Sequence, residues 1–254
     1  STSIKIQKYV ICMVSKSQIK LVRQLGQKKY RDQHQLFVAE GLKVIREFVD
    51  ENYQLHQLYA LEERHFPSQH VSLVNQAQMK AMSDLKTPSD ALAVFAMPKT
   101  QTSSQSDVVL ALESIQLPGN LGTIIRLCDW FGIQDIICSS DTVDCYNPKV
   151  IRSTMGSLAR VQVLYKDLES WLMGLKNYEI VATSMTGQSI YEHSFDTPTV
   201  LLIGNEGRGL SKQLTALSNK TLSIPRFGGA ESLNAAMATG IILAEARRNT
   251  STEK

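Results

Sequence analysis

The fold class of this chain is decided by one segment, LLIGNEGRGL, at residues 201–210. Its first three residues, 201–203, are apolar and predict a buried strand. The three glycines in the next six positions allow positive φ angles and a close approach of the backbone. A glycine loop directly after an apolar strand is typical of a ligand loop at the carboxyl end of a strand in an open α/β sheet. A plain strand-to-helix turn is a fair alternative for this segment taken alone.

Further apolar strands, separated by helical patterns, surround this segment. Such alternation predicts a parallel sheet with helices on both faces. The predicted strands lie at 108–112, 135–138, 161–164, 179–183, 200–203 and 221–224. A final helix is predicted at 233–247, with Ser232 as its N-cap.

The residues before this sheet form a second, smaller α/β pattern. Strands are predicted at 36–39, 55–60 and 91–97, and helices at 16–28, 41–48 and 76–82. Residues 99–106 contain no apolar side chain, which indicates a linker at 98–106. The expected domains are therefore 1–97 and 107–254.

Basic residues are concentrated near the N-terminus. Residues 1–31 carry a charge of +8 without any acid, while the whole chain carries +3, so the remainder carries −5. A basic arm before an acidic body favours a nucleic-acid partner, although a solvated helix face explains it about equally well. The candidates for contacting phosphates are Lys16, Lys20, Arg23, Lys28, Lys29 and Arg31.

Cysteine spacing and hydropathy disfavour other classes. Cys12, Cys128, Cys138 and Cys145 form no C-x-x-C pair, so reduced, buried thiols are expected rather than a zinc site. No apolar run approaches the about 20 residues of a membrane span, and the N-terminus lacks the features of a secretory signal. These patterns predict a cytoplasmic protein without a metal or a membrane partner.

Two more segments place polar groups at helix starts. The sequence PGNLGTIIRLCDWFG, at residues 118–132, follows a strand and opens a helix whose free N–H groups suit an anion. The sequence IPRFGGAESLNAAMA, at residues 224–238, passes from a strand through a glycine loop into a helix. Helix capping would explain the first segment, and in the second it would explain Ser232 but not Asn234.

Together the three segments resemble the signature motifs of the SpoU (TrmH-like) family of RNA methyltransferases, a branch of the knotted SPOUT superfamily. The matching patterns are N-x-G-x-x-x-R, I-G-N-E-G-x-G-L and I-P-x-x-G-x-x-E-S-L-N, in the family's order and spacing. Residues 147–157 resemble its intermediate segment, and residues 16–97 its N-terminal substrate-binding domain. Leu117 and Thr154 depart from the family pattern, which commonly has an acidic residue and a serine there.

The resemblance implies a parallel-sheet domain with a C-terminal trefoil knot and a smaller N-terminal α/β substrate-binding domain that resembles a ribosomal protein. It implies structured RNA as the partner and a homodimer formed through the knotted domain. It also implies S-adenosylmethionine as the cofactor. The backbone expected to hold this cofactor lies near Thr183, Ser184, Gly204, Ile224 and Leu233.

The same resemblance implies methyl transfer to a ribose 2′-hydroxyl, which needs in-line geometry and removal of a proton. Arg126 matches the family's catalytic arginine. It is expected to hold a phosphate rather than to act as a base, because a guanidinium loses its proton very reluctantly. Asn120 and Asn234 are expected to orient Arg126 and the backbone, and Glu206 and Ser232 to shape the pocket and support the hydroxyl.

Three alternatives stay open. A transfer-RNA substrate competes with 23S-type ribosomal RNA, which the added N-terminal domain and the basic arm favour. A non-catalytic RNA-binding or assembly protein would not need the complete set of polar motif residues. A doubly wound nucleotide-binding enzyme is disfavoured because neither G-x-G-x-x-G nor a P-loop occurs.

Overall fold

The computed structural model describes residues 14–67, 69–99 and 106–248. The start of the basic arm, Cys12 and residues 100–105 of the predicted linker lie outside these described residues. The chain divides into two compact units, Ser1–Met97 and Pro98–Lys254.

The N-terminal unit contains a mixed four-stranded sheet in the order β1-β4-β2-β3. Its elements are α1 Lys16–Gln24, α2 Lys28–His34, β1 Leu36–Glu40, α3 Leu42–Asp50, β2 Leu55–Ala60, β3 Ser72–Leu73, α4 Gln76–Met82 and β4 Ala91–Ala96. The strand pairs β1–β4 and β4–β2 are antiparallel, and β3 adds a short parallel edge. The sequence did not predict β3, because two residues are too few to show strand periodicity.

Both faces of this sheet are covered. Leu36 and Val38 of β1 pack into a core with residues of α1 and α4. On the opposite face Phe37 lies 5.7 Å from Phe95, ring centre to ring centre, and 5.2 Å from Phe48 of α3. Each such aromatic pair contributes about 1 kcal/mol beyond the burial of its surface.

The helix predicted at 16–28 is shorter than expected, and a second helix begins at Lys28 after a tight turn. α1 begins with a capping box between Ser15 and Gln18 and ends at Gln24. Gly26 and Gln27 form the turn to α2, so the basic residues of α2 do not continue the stripe of α1.

Arg31 of α2 turns inward. Only 2% of its surface is exposed, and its Nη1 donates to the carbonyl oxygens of Leu25 and Gly26, each at 2.9 Å. The prediction that Arg31 contacts RNA is therefore wrong. Two carbonyl groups at the end of α1 need donors, and the guanidinium supplies them.

The C-terminal unit contains a wholly parallel six-stranded sheet in the order β10-β8-β9-β5-β6-β7. Its elements are β5 Val108–Leu112, α5 Pro118–Trp130, β6 Asp135–Cys138, α6 Pro148–Thr154, β7 Gln162–Tyr165, α7 Leu168–Met173, β8 Glu179–Ser189, β9 Thr199–Ile203, α8 Lys212–Leu217, β10 Lys220–Ser223 and α9 Ala235–Arg247. Every residue of β5, β6 and β9 is buried, which confirms the predicted parallel sheet with both faces covered. Within the described part of the chain, no helix combines the length and apolar character needed to cross a bilayer.

The cysteines of this unit are thiols that lie in its interior. Cys128, Cys138 and Cys145 are buried and form no disulfide. Burial raises the pKa of the Cys128 and Cys138 thiols, so both stay protonated at neutral pH. The prediction of reduced, buried thiols is confirmed for these three residues.

The strand order reverses at β5. From β5 the chain adds β6 and β7 on one side of the sheet, whereas β9, β8 and β10 lie on the other side. Open parallel sheets bind ligands at the carboxyl edge where the strand order reverses. The segments that follow β5 and β9 therefore flank the expected crevice.

The strand β8 is longer than predicted and carries a large bulge. Thr221 of β10 pairs with Ala182 of β8, and the next residue of β10, Leu222, pairs with Gln188. Residues 183–187 of β8 therefore have no partner in β10 and form the bulge. Gly187 closes this bulge with a φ of 152°. A Cβ atom there would lie 2.5 Å from the carbonyl oxygen of Thr221, so only glycine permits the return.

Candidate active site at the carboxyl edge

The three motif segments meet at the carboxyl edge of the parallel sheet. Asn120, in the first turn of α5, is almost fully buried and donates its side-chain amide to Glu206, which follows β9. Asn234, directly before α9, donates its own amide to the side-chain oxygen of Asn120 at 2.9 Å. One chain of hydrogen bonds, Asn234–Asn120–Glu206, thus joins all three motifs.

Asn234 also caps α9. Its Oδ1 accepts from the backbone N–H groups of Ala236 at 2.9 Å and Met237 at 3.3 Å. The prediction that Ser232 caps this helix is wrong, because α9 begins two residues later and asparagine is an equally good N-cap. Ser232 is exposed and has no hydrogen bond to any residue that the structure describes.

Arg126 lies on the exposed side of α5. It is six residues after Asn120, which places the two side chains about 120° apart around the helix. It therefore makes no hydrogen bond or ion pair within the described ranges, and the two asparagines bond to each other rather than to Arg126. The two asparagines therefore do not contact Arg126 in this structure, and their expected role in orienting it stays a prediction. An unpaired, exposed guanidinium suits a phosphate or another anion.

Asn205, which sequence reasoning overlooked, fixes the glycine loop. Its Nδ2 donates to the carbonyl oxygen of Ser114 at 2.9 Å, and its Oδ1 accepts from the backbone of Gly207 and Arg208 at 2.9 and 3.1 Å. The side chain thereby ties the loop after β9 to the segment after β5. An asparagine at the end of a strand and close to glycine is a known turn signal, so the sequence contained the clue.

Ser114 is held in turn by a carboxylate beyond β6. Its φ of 57° is unusual for a residue other than glycine. Its hydroxyl donates to Asp141 at 2.5 Å, and the hydroxyl of Ser139 donates to the same carboxylate at 2.6 Å. These hydroxyls hold the pKa of Asp141 below its ordinary value of 3.8. The ionised carboxylate of Asp141, in the segment after β6, thus helps to support the glycine loop through Ser114.

The residues predicted to hold the cofactor lie along the same edge. A Cβ atom on Gly204 would lie 2.3 Å from the backbone carbon of Gly209, so the loop closes only with glycine at 204. Thr183 starts the bulge in β8, and its hydroxyl donates to the carbonyl oxygen of Leu202 at 2.8 Å. Ser184 is exposed within the bulge.

Two further predicted residues follow β10. Ile224 is half-buried directly after this strand, and Leu233 is 48% exposed before α9. Met185, in the bulge of β8, is 61% exposed. Exposed apolar side chains beside glycine-rich backbone suit a flat, partly apolar ligand such as an adenosyl group.

The predicted RNA-binding residues lie in the N-terminal unit. Lys16, Lys20 and Arg23 are exposed on α1, and Lys28 and Lys29 are exposed on α2. Lys28 forms an ion pair with Asp32 at 2.8 Å, and Lys29 lies over the ring of Tyr30.

The fold and the site define a class of protein, a parallel α/β domain that binds its ligand at a glycine-loop edge. Residues 107–244 match the SpoU rRNA methylase family, and residues 16–93 match the MRM3-like substrate binding domain. The first match covers more than half of the sequence. The chain therefore belongs to the SpoU rRNA methylase family, as its three motifs predicted.

The sequences and structures of individual proteins are also similar to this chain. The 23S rRNA (guanosine(2553)-2′-O)-methyltransferase RlmP of Bacillus subtilis is 28% identical, over 87% of this chain and 92% of the relative. The AdoMet-bound rRNA methyltransferase from Sinorhizobium meliloti superposes with a TM-score of 0.85 at 30% identity, covering 94% of this chain and 98% of the other. The SpoU methyltransferase AviRb from Streptomyces viridochromogenes, in complex with AdoMet, gives 0.82 at 25% identity, covering 94% and 100%.

Proposed function

We propose that this protein transfers a methyl group from S-adenosylmethionine to a ribose 2′-hydroxyl in 23S-type ribosomal RNA. The observation that carries the proposal is the hydrogen-bond chain Asn234–Asn120–Glu206, which joins the three family motifs where the strand order reverses. Membership of the SpoU rRNA methylase family and the similarity to RlmP support the same activity.

The cofactor supplies an electrophilic methyl group when it is bound. The glycine loop and the bulge of β8 offer the backbone polar groups for it, while Met185 and Leu233 offer apolar surface. The residues that would hold it are Thr183, Ser184, Gly204, Ile224 and Leu233.

Arg126 binds the phosphate next to the target ribose. Its guanidinium has no partner among the described residues, and a guanidinium forms two parallel, charge-assisted hydrogen bonds with phosphate oxygens. This contact fixes the ribose for in-line attack. Glu206 uses Oε1 to accept from Asn120, which leaves Oε2 to accept a hydrogen bond from the 2′-hydroxyl. Ser232, exposed beside Asn234, lines the entrance for the RNA.

Ribosomal RNA is the proposed substrate rather than transfer RNA. The N-terminal unit, which matches a substrate binding domain, supports this choice, as do the exposed cations of its first two helices, Lys16, Lys20, Arg23, Lys28 and Lys29. The proposal includes a cytoplasmic location, since ribosomes are assembled there. The trefoil knot expected from the family resemblance stays a prediction for this chain.

A homodimer through the C-terminal unit is part of the proposal. Trp130 of α5 and Met237 of α9 are 84% and 62% exposed, and these two helices pack together. Exposed apolar side chains of this kind support a protein–protein interface.

Transfer of labelled methyl from S-adenosylmethionine to ribosomal and transfer RNA, taken from cells that lack this protein, tests the function. The ribosomal RNA is supplied both free and as ribosomal particles. We expect 2′-O-methylnucleoside in ribosomal RNA and about a 100-fold lower rate for Arg126→Ala, the loss typical of a group that stabilises the transition state. Lys176→Ala, an exposed cation before β8 and thus at the opposite edge, is the control.

Each contrary outcome is distinct. Label in transfer RNA alone would overturn the substrate assignment, and no label in any pool would overturn the activity. An unchanged rate for Arg126→Ala would remove this residue from the mechanism.

A further inference from the structure

A groove of about 560 Å³ crosses the N-terminal unit between α1 and the segment after α4. This volume lies within the range of small-ligand sites and can hold one nucleotide. The groups that matter for its chemistry are Lys16, Ile19, Lys20, Arg23, Gln24 and Asp84.

Among the described residues, the charged groups of this groove have no partner. Lys16, Lys20, Arg23 and Asp84 make no ion pair or hydrogen bond within the ranges that the structure describes. Lys28, which lies outside the groove, is by contrast paired with its neighbour on α2. Three free cations beside one free carboxylate suit a ligand that carries both phosphate and N–H donors.

One wall of the groove is fixed by buried Arg31. Its guanidinium holds the carbonyl oxygens of Leu25 and Gly26 and thereby sets the turn after α1. The turn lies close to Asp84, since a Cβ atom at position 26 would be 3.4 Å from Oδ2 of Asp84.

The opposite wall is fixed by buried Glu40. Its Oε1 accepts from the hydroxyl of Ser83 at 2.7 Å and from the backbone N–H of Ser89 at 3.0 Å. The Ser83 hydroxyl also accepts from the backbone of Leu85 at 3.0 Å. Asp84 thus lies between two anchored residues, and its backbone is held in place although its side chain is free.

We propose that this groove binds one unpaired guanine of the RNA substrate, with Asp84 as the residue that selects the base. The inference rests on the proposed function, since it supposes an RNA substrate. Guanine is the RNA base that presents two adjacent N–H donors on its Watson–Crick edge, and these match the two oxygens of a carboxylate. Unpaired bases read on this edge are the usual basis of sequence-specific RNA recognition.

The remaining groups of the groove complete the contact. Ile19 offers apolar surface to the face of the base. Lys16, Lys20 and Arg23 neutralise the phosphates on either side of the base. Their contribution to the binding free energy is the same for every RNA sequence. In this proposal Asp84 is the charged group that distinguishes one base from another.

Binding of stem–loop RNAs with the loop U-U-X-U-U tests the proposal, where X is guanosine, inosine, adenosine, cytidine or uridine. Fluorescence anisotropy at one fixed salt concentration compares the full-length wild type with Asp84→Asn. The control is Asp50→Asn, an exposed carboxylate of α3 outside the groove. Asp84 has no partner among the residues that the structure describes, so we expect its substitution to leave the fold intact.

We expect the wild type to bind the guanosine loop at least about fivefold more tightly than the adenosine loop, the lower end for a two-point base contact. Inosine, which lacks the second donor, falls between them. Asp84→Asn binds all loops about equally, and Asp50→Asn keeps the preference. Equal binding of all loops by the wild type, or a guanosine preference that survives in Asp84→Asn, would overturn the proposal. Methyl transfer to ribosomal RNA by the wild type is measured separately, so failure of the groove and failure of the proposed activity are told apart.

Discussion

The side-chain amide of Asn234 donates to the side-chain oxygen of Asn120 at 2.9 Å, between residues that lie 114 positions apart in the chain. The oxygen of the same Asn234 amide caps α9. One side chain therefore has two roles that are separable by chemistry, since the oxygen stabilises a helix and the nitrogen links two motifs.

Asn234→Asp should separate these two roles. A carboxylate caps a helix as well as an amide does, but it cannot donate to Asn120. We expect the free energy of unfolding in urea to fall by about 1 kcal/mol, because the oxygen of the buried Asn120 side chain loses its donor. Methyl transfer should fall at least about tenfold, the loss expected for a hydrogen bond within a charged network. Asn234→Ala should lose activity and about 1 kcal/mol more stability than Asn234→Asp, because it also removes the cap. Full activity in Asn234→Asp would show that the link to Asn120 is not needed.

Gly204→Ala should weaken cofactor binding. The new Cβ atom would lie 2.3 Å from the backbone carbon of Gly209 and 2.4 Å from the nitrogen of Leu210, so the loop must move at a cost of about 1–3 kcal/mol. We expect the affinity for S-adenosylmethionine, measured by calorimetry, to fall about tenfold or more. Gly207→Ala is the matched control, because its nearest neighbour is Oδ1 of Asn205 at 3.6 Å. Equal affinities of the two variants would contradict the role assigned to the close approach at Gly204.

Asp141→Asn should change the pH dependence of stability. The hydroxyls of Ser114 and Ser139 hold the pKa of Asp141 below 3.8. The ionised group therefore stabilises the fold above that pH, and the contribution disappears as the pH falls through the lowered pKa. We expect the wild type to be more stable at neutral pH by less than about 1 kcal/mol, since the side chain is exposed. Urea unfolding of both proteins over a series of pH values measures the difference. A difference that stays constant down to the most acidic point would mean that the charge contributes nothing.

Arg31→Ala should act on the fold of the N-terminal unit. It leaves the carbonyl oxygens of Leu25 and Gly26 without their buried donor, which costs about 3 kcal/mol. Lys28→Ala removes only an exposed ion pair and should cost less than about 0.5 kcal/mol while it lowers RNA affinity. Urea unfolding and RNA binding of both variants make the comparison. A stable Arg31→Ala protein that has lost RNA affinity would restore Arg31 to the RNA-binding surface.

Elements with a strong local pattern could be predicted from the sequence. The strands β2, β5 and β6 and the helix α4 begin and end at the residues that the sequence predicted. The carboxyl-edge site could be predicted because its polar residues follow parallel strands, and such strand ends share one edge of a sheet.

Other features depend on partners that are distant in sequence. Ser232 and Asn234 are equally good caps locally, and Asn234 is distinguished by its bond to Asn120. The charge of Arg31 predicts an exposed side chain, yet hydrogen bonds to two carbonyl oxygens at the end of α1 hold this side chain in the interior. The last part of β8 is polar and exposed, so no apolar alternation indicates that it pairs with β10.

The parallel pairing of β5 with β9 has a consequence for synthesis of the chain. Val108 pairs with Thr199 and Leu112 with Ile203, so each residue of β5 pairs with a residue that is synthesised 91 positions later. At a translation rate of about 5–20 residues per second, this delay is roughly 5–20 seconds. During that time the apolar residues of β5 lack one of their two neighbouring strands. Production of the protein in cells should therefore depend on chaperone supply and growth temperature more than that of a domain built from adjacent hairpins.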